Sequence, residues 1–340
     1  MHCFCVSGLW NVEAGLLVAK LSSIGISQCD LDAELHRFQW PHNLTSRGVT
    51  GMKIFSKEDQ SGDIKCSASE CLSVYSVLRC IFLEKMRAGQ LKDVRAEMES
   101  YLCLARVLDL LQNIRLGKTE PAELERAIKK HLTAYKLAYH DGRFLPKHHY
   151  TMHLGRMLAQ HGTLVSCWVH ERKHREVKQH ANLITNTWSS WERSVLTDAM
   201  CNMLDSLKGT PEEPFDGGLC QLQEPTEAAA ACLQQSLNVY EPVKLSRSAF
   251  YAPGAKIHAG DVALFSSGES NDPLVGQVEV FARVGQLDLA VVRPWEALGH
   301  NQFNRTKDSI LCDLYSTCDV CVFATEDPAV VVPTSTWNTF

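Results

Sequence analysis

Residues 170–174 read His-Glu-Arg-Lys-His. On a helix this string puts His170 and His174 on one face, where both imidazoles could ligate zinc while Glu171 activates a water. His180 follows six residues after His174, the spacing of the third histidine in one class of zinc peptidases. The residues between argue against that role. Such enzymes carry glycine three residues after the second His, ending the helix and folding the third ligand back. Here the position is Val177, inside Arg175-Glu-Val-Lys-Gln179. With about 100° of rotation per residue, a continuing helix turns His180 roughly 240° away from His174. Glu192 is available as a distant carboxylate ligand but has no further support. The plain alternative is a surface helix laced by Glu171–Arg175 and Glu176–His180 pairs. The spacing predicts no catalytic zinc, and a zinc-dependent hydrolase using His170, Glu171 and His174 stands as the alternative function.

The same stretch is the one basic region of an acidic chain. Seven of the fourteen histidines fall between 148 and 180, and between 147 and 178 six Lys or Arg residues stand against two Glu. Lys147, His148, His149, Arg156, Arg172, Lys173, Arg175 and Lys178 are the candidates for contact with phosphates. A solvated helix face would carry the same charges. Cys318-Asp-Val-Cys321, with Cys312 upstream, has the spacing of one metal knuckle but lacks a second cysteine pair. Alternation along a strand explains it equally well. No phosphate-binding Gly-rich loop, nucleophile elbow or complete catalytic constellation occurs.

These residues need elements to hold them. From Gly8 to Phe38 the apolar positions recur at helical spacing, until Trp40-Pro41. Ser67-Ala-Ser-Glu70 reads as a capping box before a buried helix reaching about Arg87. Further helices are predicted over about 91–115, from Pro121 to about 140, and twice or three times within 149–206 with a break near Gly162. Residues 205–227 hold six acids and one lysine among prolines and glycines, which reads as a linker. A short Ala-rich helix is expected over about 226–238. From Val243 onward short β-rich runs at 261–265, 275–281, 287–292 and 318–323 predict a small antiparallel barrel or roll. The fold class is therefore α+β. Residues 1–206 form a helical region, 207–242 an acidic linker with a short helix, and 243–335 a small β module.

Composition narrows the function classes. The 340 residues are 45% hydrophobic and 21% charged, which excludes a disordered chain. A net charge of −5 argues against nucleic-acid binding by global charge and leaves only a local basic surface. We find no apolar run near the length of a membrane helix and no signal-peptide pattern, so the chain reads as intracellular with no membrane partner. Its fourteen cysteines are scattered and read as reduced.

Several strings resemble the later part of DDE-type transposases of CACTA (En/Spm)-like DNA transposons. They are Met1-His2 followed by Gly8-Leu-Trp-Asn-Val-Glu13, Lys65-Cys-Ser-Ala-Ser-Glu-Cys71, Leu145-Pro-Lys-His-His-Tyr-Thr-Met-His153, Leu164-Val-Ser-Cys-Trp168 and His170-Glu-Arg-Lys-His-Arg-Glu-Val-Lys178. Their order along residues 1–200 carries the resemblance. It implies a ribonuclease-H-like core in which three carboxylates hold two Mg2+ or Mn2+ ions. Only Glu13 matches as a candidate third carboxylate, and pairing within its own amphipathic helix would also explain it. The other acids would lie upstream of Met1, so the chain reads as a fragment without catalysis or cofactor of its own. The β module is similar in pattern to chromatin-reader barrels such as BAH domains. The combined expectation is a catalytically incomplete, transposase-derived, nuclear protein that contacts DNA or chromatin proteins through a basic, His-rich helical face.

Overall fold

A computed structural model describes residues 2–5, 8–45, 64, 66, 68–114, 117–140, 144–164, 191–208, 218–237, 241–252, 255–266, 273–299, 301–326 and 328–333. The chain divides into two units. One comprises residues 164–216, and its described part is a helix, Trp191–Lys208. The other takes in His2–Thr163 and Gly217–Phe340 and is an α+β assembly, with helices first and an antiparallel barrel after them.

The helices are α1 (His2–Cys5), α2 (Leu9–Ser23), α3 (Gln28–His36), α4 (His42–Thr45), α5 (Ala68–Arg87), α6 (Arg95–Asn113), α7 (Pro121–Tyr139), α8 (Pro146–Thr151) and α9 (Leu154–His161). The single helix expected up to Phe38 is broken at Gly25, whose positive φ of 89° suits glycine. Ser27 then restarts it. Its hydroxyl accepts from the Asp30 amide while Asp30 accepts from the Ser27 amide, the reciprocal cap of a helix N-terminus. The capping box expected at Ser67 lies outside the described residues.

α2 is buried on nearly every side. Leu9, Trp10, Val12, Leu17, Val18 and Leu21 are sealed, and Asn11 and Glu13 go inside with them. By length and composition Cys3–Ser23 would suit a membrane span, contrary to the sequence reading, but 81% of it is buried against the rest of the protein. α5, α6 and α7 complete this core. In α7 the buried positions Leu124, Ile128, His131, Leu132 and Tyr135 recur three or four apart, so one side faces inward and the other is left to solvent. α9 packs closely on α7 at Gly155, where an added Cβ would lie 2.9 Å from Glu125 Cβ and 3.1 Å from the Pro121 carbonyl.

The barrel strands are β6 (Val262–Phe265), β7 (Leu274–Val284), β8 (Leu287–Gly299), β9 (Gln302–Arg305), β11 (Thr317–Ala324) and β12 (Ala329–Pro333). They pair in the order β8-β9-β12-β11-β6-β7, and the long β7–β8 hairpin closes the ring. β3 (Val243–Ser246) and β10 (Ile310–Asp313) flank it. Phe265, Val278, Phe281, Val292 and Val320 fill one side of the core, and Val262, Leu264, Trp295, Phe303 and Val331 the other. A second small sheet joins β2 (Gly218–Cys220), β4 (Ser248–Ala252) and β5 (Ala255–His258). β2 and the helix Glu227–Leu237 fall within the acidic stretch 207–242, whose residues 209–217 and 238–240 are outside the described set.

The helices and the barrel are tied together. Phe38 and Gln39 form β1, paired antiparallel with Ala324 and Phe323 of β11. Next to it Arg37 grips Glu326 with two hydrogen bonds, at 2.8 and 2.5 Å, and also donates to Glu34, which takes a second cation, Lys85, at 2.8 Å.

Candidate functional site

Glu13 sits at the centre of the helical core with 0% exposure. Each of its carboxylate oxygens accepts a hydrogen bond. Ser100 Oγ of α6 donates to Oε1 at 2.7 Å, and His131 Nε2 of α7 donates to Oε2 at 2.7 Å. Ser100 and His131 are equally sealed, at 0% and 1%. The composition is that of a hydrolytic triad but the order is not. A triad places imidazole between carboxylate and hydroxyl, so that the base can take the hydroxyl proton. Here the carboxylate stands in the middle, and the serine hydroxyl spends its proton on it. Glu13 therefore links three helices, in place of the pairing within its own helix read from the sequence. α2 is not amphipathic, so Glu13 has no solvent side on which to make such a pair.

The described members of the His-rich segment part company. His148 is 0% exposed, which removes it from the phosphate-contacting set. The Leu145 amide donates to its Nδ1 at 3.0 Å, and its ring packs 4.5 Å from Phe144 and 4.7 Å from Tyr135. Burial pushes its pKa down to about 4, with His131 adding to the effect, so it is neutral at pH 7. His149 and Arg156 are exposed, and Lys147 is half-buried. His149 meets His153 edge-on at 4.9 Å, one turn away. His170, Glu171, His174 and His180 lie outside the described residues, as do Arg172, Lys173, Arg175 and Lys178.

The outer side of α7 supplies cations that no sequence motif marks. Arg126, Lys129, Lys130 and Lys136 all lie on its exposed face, spaced to follow one side of the helix. Two open grooves flank this ridge and share Lys129, Thr133 and Leu137. The larger, of about 790 Å³, runs toward α8 and α9 and is lined by Lys136, His140, Phe144, Met152 and His153 among others. The other, of about 590 Å³, runs toward Leu102 and Cys103 of α6. Phe144, which lines the larger groove, is 47% exposed, and Tyr150 of α8 is 56% exposed. The signal was present in Glu125-Arg-Ala-Ile-Lys-Lys130, but a few cations on one helix face look like ordinary solvation until the grooves beside them are seen.

Cys318 is exposed and Cys321 is buried on β11. Three apart on a strand they point to opposite sides, so the pair fits strand alternation and not a metal knuckle. Among the described residues one group of three donors is close enough to share an ion: His42, His258 and Asp261. It joins His42 to a His258–Asp261 pair that lies 216 or more positions later in sequence, and no local spacing announces the set of three.

No family model, curated protein or solved structure matches the chain.

Proposed function

We propose that this chain is a transposase-derived protein without strand-transfer catalysis, which contacts nucleic acid through the exposed face of α7 and the basic stretch 147–178 that follows it in sequence. The observation that carries this reading is the alignment of Arg126, Lys129, Lys130 and Lys136 beside two grooves. Helical cations spaced this way can neutralise successive phosphates, releasing condensed counterions. The exposed rings of Phe144 and Tyr150 offer faces on which unpaired bases can stack. Contacts to phosphates and ring faces carry no base-edge information, so the expected binding is sequence-independent. The sealing of Glu13 at 0% exposure, held by donors from Ser100 and His131, supports the non-catalytic half of the proposal, because a nucleic-acid strand cannot reach a carboxylate shut inside the core.

The test is fluorescence anisotropy of labelled single-stranded and duplex DNA titrated with the intact chain at low salt. Two charge reversals are compared with it, Lys129→Glu/Lys130→Glu and Arg172→Glu/Lys173→Glu/Arg175→Glu. The expected result is non-specific affinity of about 10⁻⁴–10⁻⁶ M at physiological salt, tighter at low salt and weakened in both variants. Absence of binding at low salt, or variants that bind like the parent, would remove the proposal.

A further inference from the structure

Asp261 is 3% exposed and stands just before β6, at the end of a tight turn from His258. The Asp261 amide donates back to the His258 carbonyl at 3.1 Å, and Gly260 takes the positive φ of 97° that the turn requires. This turn aims the carboxylate at the end of β5, where the His258 amide donates to Asp261 Oδ2 at 2.8 Å. From the helical side α4 delivers His42. Its backbone amide donates to Asp261 Oδ1 at 3.0 Å, and its Nδ1 lies 2.8 Å from the same oxygen. The two imidazoles face each other with centroids 5.1 Å apart.

One donor atom from each of the three residues lies within 4.8 Å of the other two. His258 Nδ1 is the telling atom. It is shut off from solvent, has no hydrogen-bond partner, and sits 3.8 Å from Asp261 Oδ2. A buried polar atom left unbonded in a native fold calls for a reason, and an ion is one. Two imidazoles and a carboxylate are the ligand set of zinc and neighbouring first-row metals, whereas magnesium and calcium take oxygen ligands.

We propose that His42, His258 and Asp261 bind one zinc-class divalent ion, which clamps α4 to the barrel. Zinc holds imidazole nitrogen and carboxylate oxygen at about 2.0–2.2 Å, so the donors must close in slightly. His42 can do this, since its side chain is 58% exposed and rotates at little cost. Asp261 is already oriented by the two backbone amides, which fix the carboxylate as supporting hydrogen bonds do in metal centres. Three protein ligands leave a fourth position for water, so the ion is exchangeable. The inference does not depend on nucleic-acid contact.

The test is titration of the intact, reduced chain with Co2+ as the probe, followed by its visible d–d absorption, and then displacement by Zn2+. Cobalt bound by nitrogen and oxygen lacks the thiolate-to-metal charge-transfer band, so cysteine sites are told apart. The expected result is one such equivalent in the parent protein and in His170→Ala/His174→Ala, and its loss in His42→Ala. His42 is mostly exposed, so that variant keeps the fold, and unchanged circular dichroism verifies it. Addition of Zn2+ is expected to raise the melting temperature of the parent and not that of His42→Ala. If His42→Ala retains the equivalent, or the parent shows only charge-transfer bands, the site is refuted.

Discussion

Replacing Glu13 by alanine leaves His131 Nε2 and Ser100 Oγ buried without the acceptor each now donates to. A hydrogen bond to a charged group contributes about 1.5–3 kcal/mol, so the two together suggest about 3–6 kcal/mol. Neighbouring terms do not add fully, and loss of one member of a buried charged set costs about 3–5 kcal/mol, the value expected here. Glu13→Gln keeps one carbonyl acceptor but turns an NH2 toward a donor, and an intermediate loss of about 1–3 kcal/mol follows. Urea unfolding followed by tryptophan fluorescence measures both, since Trp10 lies on the same helix, one turn away. With a urea slope of about 3 kcal/mol per molar, the alanine variant should unfold about 1–1.7 M earlier. Mg2+ or Mn2+ should not shift the midpoints of parent and Glu13→Ala differently. A Glu13→Ala protein that unfolds at the parental midpoint would refute the structural role. So would an Mn2+-dependent gain in the parent that disappears in the variant.

Other perturbations follow from the same packing. Asp109→Ala removes the acceptor that Arg79, at 2.5 Å, and the Tyr75 hydroxyl, at 2.9 Å, share inside the core, and should cost about 3–5 kcal/mol in urea unfolding. Gly155→Val drives a branched side chain into Glu125 and the Pro121 carbonyl, and should lower stability by about 1–3 kcal/mol in the same assay. His148 holds its proton less tightly when folded than when unfolded, because burial lowers its pKa to about 4 from 6.5. Between those values the unfolded chain binds more protons, so stability is complete above about pH 6.5 and falls as pH drops toward 4. Urea midpoints across that window should show the slope, reduced in His148→Phe.

The α+β order and the long helices were legible because their periods are strong. In α7 the stripe Leu124, Ile128, Leu132, Tyr135 follows a proline start and ends near His140. The barrel strands 262–265, 274–284, 287–299 and 317–324 likewise announce themselves by β-branched runs. Elements that were not legible owe their form to distant partners. Phe38-Gln39 has too few residues to show a period and becomes a strand only because β11 offers an edge. Ala329–Pro333 looks like any short apolar run until β9 and β11 flank it. The sites divide the same way. Glu13 could be picked out as an acid in an apolar helix, but its partners come from positions 100 and 131, and no local pattern links them. His148 belongs to a basic string yet turns inward, because α8 needs an aromatic side chain against Tyr135. His42, His258 and Asp261 meet only through the docking of α4 on β5.

The contact of the α7 face with nucleic acid is tested most directly by the salt dependence of binding. Affinity for a labelled DNA is measured at several salt concentrations for the intact chain and for Lys129→Glu/Lys130→Glu. Each phosphate neutralised adds about −0.9 to the slope of log affinity against log salt for duplex, and about −0.7 for a single strand. The parent should therefore show a slope of several units, and the double variant one shallower by about two contacts. Equal slopes for the two proteins, or a parental slope near zero, would contradict the assignment of this face to nucleic acid.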